Sequence, residues 1–276
     1  MFNLKLAFRT LFKTPFVTMV AVLSLALGIG ANTAIFSLFD QMLRRPLPVH
    51  EPERLVNFSS PGPKSGSTSC NQAGPCDDVF SYPMFRDLER QQTQFAGIAA
   101  HVAFGANVGY NRQTVNAEGM LVSGSYFPVL GLQPAAGRLF SAADDQTLGA
   151  HFVAVLGYNF WETRLGGDPN IINQTIVVNG RPMTVIGIAP RDFNGTTLGT
   201  RPAVYVPLSM LGVMSPGMEV DNRRSYWAYL FARLKPGVTI SQAQAAINVP
   251  YRQVLQEVEG PLQEGMSDQT KKQFLA

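Results

Sequence analysis

From Thr14 to Phe39 the chain carries no charged residue, a run of about 26 positions. As a helix rising about 1.5 Å per residue, such a run reaches roughly 39 Å, more than the ~30 Å hydrocarbon core of a bilayer requires. A buried helix of a soluble domain rarely stays free of charge for so long, so the run reads as a membrane span. Its segment Ser24–Asp40, "SLALGIGANTAIFSLFD", contains Gly28-Ile29-Gly30, which looks like the opening of a phosphate-binding loop. A dinucleotide fingerprint needs Gly-x-Gly-x-x-Gly between a strand and a helix, and the sixth position here is Thr33. The Gly-Lys-Ser/Thr of a P-loop occurs nowhere in the sequence. A cleaved signal peptide has an apolar region of only about 7–15 residues. Ala31-Asn32-Thr33-Ala34 mimics a cleavage site, but Ile35, Phe36, Leu38 and Phe39 carry the apolar run past it. An uncleaved anchor fits better.

The small residues of the run suggest packing. Ala26, Gly30 and Ala34 recur every four residues, as do Ser24, Gly28 and Asn32. We expect two adjacent small-residue ridges on one side of the helix, where a second helix approaches closely and Asn32 hydrogen-bonds across the contact. The plain alternative is that Gly and Ala are simply common in membrane helices. A mere tether has no need of a smooth face.

Lys5, Arg9 and Lys13 lie four apart ahead of the span and form one stripe if residues 1–13 are helical. An amphipathic helix resting on anionic headgroups and turning into the span at Thr14-Pro15 is expected. These three residues account for the formal net charge of +3; beyond them 19 basic and 19 acidic residues cancel. A neutral body offers no basic face for nucleic acid, which is excluded as a partner. Orientation does not follow from charge counting, because Arg44, Arg45 and Arg54 balance the basic residues before the span.

Residues 40–80 read as a loop-rich connector, with "SSPGPKSGSTSCNQAGPCDD" rich in Pro, Gly and Ser. Cys70 and Cys76, the only cysteines, either close a small disulfide loop in an oxidising compartment or remain two free thiols. From Ser81 a helical pattern carries Phe85, Leu88 and Phe95. Apolar runs near 99–110 and 114–122 precede a brief helix around 125–130, and "HFVAVLGYNFWETRL" reads as a buried strand entering a helix. In "TIVVNGRPMTVIGIAP" two β-branched runs flank Asn179-Gly180, the dipeptide of a type I′ hairpin turn. Strands are predicted at 203–207 and 226–234. A helix capped by Thr239 or Ser241 follows, carrying Ala246, Ile247, Val254 and Val258, and Pro250 is expected to kink or interrupt it. The fold class is α+β, one N-terminal transmembrane helix followed by a mixed α/β extracytoplasmic domain.

Catalytic constellations are weak. His50, His101 and His151 lack metal-ligand spacing to one another or to Cys or carboxylates, and no Gly-x-Ser-x-Gly elbow occurs. Asp77-Asp78 and Asp144-Asp145 read as solvated caps rather than acid/base dyads. Trp161 and Trp227 read as core or interface residues. Asn57, Asn173 and Asn194 head Asn-x-Ser/Thr triplets that chance supplies in a chain this long. No enzyme activity, metal or cofactor is expected.

"FRTLFKTPFVTMVAVLSLALGIGANTAIFSLFD" resembles the N-terminal segment of the MacB/FtsX-type permeases of ATP-binding-cassette transporters, and more narrowly the large orphan permeases built from a duplicated permease unit. "SYPMFRDLERQQTQFAGIAA", "GSYFPVLGLQPAAGRLF", "VAVLGYNFWETRLGGDPNIINQTIVVNGRPMTVIGIAP" and "FARLKPGVTISQAQAAI" are similar to that family's extracytoplasmic core domain. The resemblance runs over nearly the whole chain in order. It implies a cytoplasmic N-terminus, a span over 14–39 in the inner membrane, and a MacB-like periplasmic core domain over 81–276. It further implies three later membrane helices and a separate or fused cytoplasmic ATPase that drives motion of the outer domain. This sequence stops at Ala276 without a second apolar span, so we expect an N-terminal fragment that is not transport-competent alone. Expected partners are membrane lipid, the ATPase subunit, and a second permease copy or the missing C-terminal helices. The alternative is a single-span membrane-anchored periplasmic binding or adaptor module; an anchored hydrolase has no supporting residues.

Overall fold

The computed structural model describes residues 13, 15–43, 47–64, 66–70, 74–197, 199–262, 265 and 267–275. It divides into two compact units, 1–46 and 47–276. The amphipathic helix expected over 1–13, with Lys5 and Arg9, lies outside the described residues except for Lys13, which is helical and exposed. The first unit is the helix α1 (Pro15–Leu43). Its 15–37 stretch is long and apolar enough to cross a membrane, and none of it is buried. Thr33 spends its hydroxyl inside the helix, donating to the Ile29 carbonyl at 2.8 Å, which removes a polar group from an otherwise apolar surface.

The second unit opens with β1 (Leu55–Asn57), β2 (Ser67–Thr68), β3 (Val79–Phe80) and α2 (Tyr82–Gln91). A long hairpin of β4 (Phe95–Tyr110) and β5 (Gln113–Val122) leads to α3 (Tyr126–Leu130), β6 (Ala136–Gly137), β7 (Val153–Leu156) and α4 (Tyr158–Arg164). Next come β8 (Thr175–Val178), β9 (Arg181–Ile188), β10 (Val204–Pro207), α5 (Leu211–Met214), β11 (Ser225–Tyr226) and β12 (Ala228–Leu234). The chain finishes with α6 (Ile240–Val254) and α7 (Asp268–Leu275).

Six of these strands close a ring. β4 pairs β5, β5 pairs β10 in parallel, β10 pairs β7, β7 pairs β9 in parallel, β9 pairs β8, and β8 returns to β4 at Val108 and Gly109. Each of the six is thereby paired on both sides over part of its length. The remaining edge of β4, from Phe95 to His101, is taken by β12, and β12 in turn pairs β1 and β3. β2 and β11 form a separate parallel pair.

The two-residue period of the strands sorts the core. Val102, Phe104, Ala106 and Val108 of β4 join Val204 and Val206 of β10 in one cluster. Their neighbours Ala99 and Tyr205 join Met120, Tyr126, Phe127 and Phe231 in a second. Trp227, 1% exposed, stacks on Tyr82 at 6.3 Å and ties α2 to the strands.

The hairpin at Asn179-Gly180 has both residues at positive φ, 48° and 76°, as a type I′ turn demands. The turn between β4 and β5 uses Asn111 and Arg112 at φ 48° and 64°. Arginine rarely takes this conformation, which is why the second turn was not legible in the sequence. Ser81 caps α2 by accepting from the Met84 amide, and Thr239 with Gln242 forms a capping box on α6.

Two expectations need correction. The connector expected over 40–80 is not a bare loop: α1 continues to Leu43, the compact unit begins at Leu47, and β1 and β3 are strands of the main sheet. Arg54 donates to the Leu234 carbonyl through Nε at 3.1 Å and Nη2 at 2.6 Å, a long-range tie that composition does not reveal. Pro250 does not interrupt α6, which runs through it to Val254 and passes into a π-helical turn at Leu255–Glu259. Packing of Ala243, Ile247 and Tyr251 on the core holds the helix where local preference alone would end it.

Candidate functional site

An α-helix turns 100° per residue, so the regular helix α1 fixes where its small residues lie. Ser24, Gly28 and Asn32 fall within one 80° sector. Ala26, Gly30 and Ala34 fall within another, and the two sectors are centred about 160° apart. The expectation of adjacent ridges on one side is therefore corrected: they lie on nearly opposite faces. A spacing of two positions crosses a helix, whereas three or four return to the same face. All six residues are exposed, and a Cβ built on Gly28 or Gly30 meets nothing within 4 Å.

In the body, the residues singled out for chemistry are occupied in structural work. The structure joins Cys70 to Cys76 with their Cα atoms 4.8 Å apart, inside the range a disulfide spans. Lys64 straps this loop, donating to the carbonyls of Ser60 at 2.9 Å and Cys76 at 3.0 Å, and burial lowers its pKa. His101 is buried against the rings of Tyr229, Tyr126 and Phe231, and burial drives its pKa down to about 4. It is a neutral core imidazole at physiological pH. His50 lies 3.4 Å from the Glu51 carboxylate, and His151 accepts from the Thr147 amide. Among the described residues no group of three His, Cys, Asp or Glu side chains could hold a metal ion.

Asp144 and Asp145 are buried, not solvated as expected. Arg138 grips Asp144 with two hydrogen bonds of 2.7 and 2.8 Å, and Asp144 also accepts from the Ser141 amide. These bonds outweigh burial and lower its pKa. Asp145 accepts from the amides of Ser209 at 2.7 Å and Gly124 at 3.2 Å, joining three loops at one carboxylate.

Sequence reasoning missed a second buried cluster. Asp87 on α2 receives Arg90 at 2.6 Å and Arg223 at 2.7 Å, and Glu259 on the π-helical turn sits 3.7 Å from the other Arg223 nitrogen. Burial pushes the Glu259 carboxyl up to about 7. Asp87 and Arg90 are an ordinary i,i+3 pair, but Arg223 lies 136 positions from Asp87 and Glu259 lies on a separate element, so no local signal joins the three elements. Arg233 is likewise buried in β12, donating to the carbonyls of Val129 at 2.6 Å and Glu51 at 3.0 Å.

The described residues thus present a mixed α/β domain joined to one N-terminal candidate membrane span, with buried charge arranged as caps and clasps. The chain belongs to the family of MacB-like periplasmic core domains, whose profile matches residues 18–249. It is similar to the macrolide export ATP-binding/permease protein MacB of Salmonella typhi and of Salmonella typhimurium, 29% identical to each over 133 residues. That match covers 47% of this chain and only 18% of the length of those relatives.

Two solved structures share the fold. The periplasmic region of MacB from Actinobacillus actinomycetemcomitans superposes with a TM-score of 0.52 at 14% identity, covering 77% of this chain and 94% of that one. The extracellular domain of the noncanonic ABC-type transporter YknZ from Gram-positive bacteria gives 0.51 at 17%, covering 75% and 95%. Family membership suggests a permease component of ABC-type transporters. With the apolar helix it fits an inner-membrane protein bearing a periplasmic domain.

Proposed function

We propose that this chain is the N-terminal part of the membrane permease component of an ABC-type export or mechanotransmission system. In this reading α1 crosses the inner membrane with the N-terminus in the cytoplasm and the body in the periplasm. A cytoplasmic ATPase supplies the work, and Lys5, Arg9 and Lys13 rest on lipid headgroups. The observation that carries the reading is the pairing of a MacB-like core domain with an apolar helix whose two small-residue faces are open. With ridges on opposite faces, α1 suits a place between two neighbouring helices, from the same permease or a second copy, rather than at the edge of a pair.

Leucine at Gly30 and Ala34 fills one ridge while raising hydropathy, so the helix still inserts. With cysteines introduced beside each ridge, the double change is expected to cut disulfide crosslinking on the Gly30–Ala34 face at least tenfold, with crosslinking on the Ser24–Asn32 face and the amount of membrane-inserted protein unchanged. Crosslinking on the Gly30–Ala34 face that persists at the unsubstituted level overturns the packing argument. A periplasmic body also implies that Cys70 and Cys76 form their disulfide in the cell. Alkylation of intact cells with a maleimide is expected to label neither cysteine until a reductant is added; labelling of both without reductant overturns the compartment assignment.

A further inference from the structure

We propose that the groove beneath α6 is a binding site for a small, uncharged, largely apolar molecule of about two rings. The groove has a volume of about 300 Å³ and lies between α6, β1, the start of β4 and the residues following β1. Its floor is aromatic. Phe58 meets Phe95 at 5.4 Å and Phe80 at 6.5 Å, both edge to face, and Phe80 meets Tyr251 at 6.4 Å.

The sequence of α6 explains why the groove exists. Ile240, Ala243, Gln244, Ile247, Asn248 and Tyr251 fall on one face, and all line it. Ala243, buried in the core cluster, adds only a methyl to the wall, and Gln244 and Asn248 place exposed carboxamides where larger apolar side chains would close the space. Tyr251 does not fill it either, because its hydroxyl is held by hydrogen bonding to Ser60 Oγ.

The lining selects the ligand. None of the described residues lining the groove is charged, so an ion would lose its hydration without a counter-charge. The carboxamides of Asn57, Gln244 and Asn248 offer donors and acceptors to one polar atom of a mostly apolar guest. An engineered apolar cavity of roughly 150 Å³ takes up benzene, so twice that volume matches two rings rather than one. Ile240, 63% exposed, extends the apolar surface beyond the mouth. This inference stands apart from the permease reading, since it concerns only the body.

Benzophenone is a suitable probe: uncharged, two-ringed, with one carbonyl, and able on irradiation to insert into nearby C–H bonds. With the full chain in lipid nanodiscs, irradiation and peptide mapping are expected to place adducts within 240–251 and around Phe58 and Phe95. Adducts in the apolar span provide an internal reference for partition into lipid. Gln244→Trp, a surface change that covers the mouth, and Ala243→Phe, which fills the groove, are each expected to reduce the groove adducts at least tenfold relative to those in the span. The anionic 4-benzoylbenzoate is expected to label the groove at least tenfold less than benzophenone. Adducts confined to the span, or groove adducts that survive Gln244→Trp, overturn the proposal. So does equal labelling by the anionic probe. A groove already filled by a segment of this or another chain gives no adducts there and overturns it as well.

Discussion

Asp145→Ala is expected to destabilise the body by about 3 kcal/mol, the largest single loss among the polar residues considered. The carboxylate is 1% exposed and is the acceptor for two backbone amides, of Gly124 and Ser209. Removing it leaves two buried donors without a partner, at about 1–3 kcal/mol each. Part of that loss is returned, because burial raises the Asp145 pKa and the variant no longer buries the charge. Asp145→Asn keeps one acceptor oxygen and is expected to lose roughly half as much. Urea unfolding of the full chain in nanodiscs, followed by the fluorescence of buried Trp227, measures both. A midpoint for Asp145→Ala within experimental error of the unsubstituted chain would show that the carboxylate does not join the three loops.

The second large effect is a dependence on pH carried by Glu259. Burial is the main cause that lifts its carboxyl from 4.5 to about 7, and the negative charge of Asp87 adds to it. Arg223 pulls the other way but only from 3.7 Å, beyond hydrogen-bond reach, so burial prevails. Tyr226 and Tyr251 also face this carboxyl. A folded-state pKa above the unfolded one means the folded form binds the proton more tightly. The corresponding stability is fully present below about pH 4.5 and is lost as pH rises through about 7. With about 1.4 kcal/mol for each tenfold change in proton affinity, the loss amounts to roughly 3 kcal/mol between those limits. Glu259→Gln resembles the protonated acid and removes the dependence. The difference in unfolding free energy between the unsubstituted chain and Glu259→Gln is therefore expected to grow in favour of the variant from pH 5 to pH 8. Parallel pH profiles for the two chains would refute the assignment.

The position of Glu259 gives this titration a structural meaning. It sits on the π-helical turn that follows α6, and through Arg223 it faces Asp87 of α2. Any weakening there loosens the attachment of the segment leading to α7, while the ring of six strands, held by backbone pairing and apolar packing, contains no titrating partner of this cluster. The groove beneath α6 lies on the same helix, so Glu259→Gln and Gln244→Trp together separate an effect on the helix from an effect on its guest.

The elements legible in the sequence were those whose cause is local. A charge-free run of helix-spanning length marks α1, because no residue in it needs water. The Asn179-Gly180 pair marks a hairpin, because few dipeptides tolerate two positive φ values. A Thr239 or Ser241 cap marks the start of α6, because a hydroxyl satisfies amides a few residues on, and the structure selects Thr239, in a capping box with Gln242. Resemblance along "SYPMFRDLERQQTQFAGIAA" and later stretches carried the fold of the body, and the family profile and two solved structures agree with it.

What sequence alone determined, then, is the apolar helix, most strands and the start of α6, since each follows from interactions a few residues long. Tertiary structure alone decided the closure of β8 onto β4, the burial of Asp145 and Glu259, the passage of α6 through Pro250, and the groove. Asn179 shows the difference in one residue: its dipeptide dictates a turn, but its side chain also accepts from the Asn107 amide at 2.8 Å and donates to the carbonyls of Gly105 and Met214, pinning that turn to β4. The first property belongs to the backbone preferences of two adjacent residues. The second exists only once chain segments 35 to 74 positions apart have been brought together by burying apolar surface, and the hydrogen bond then fixes which faces meet.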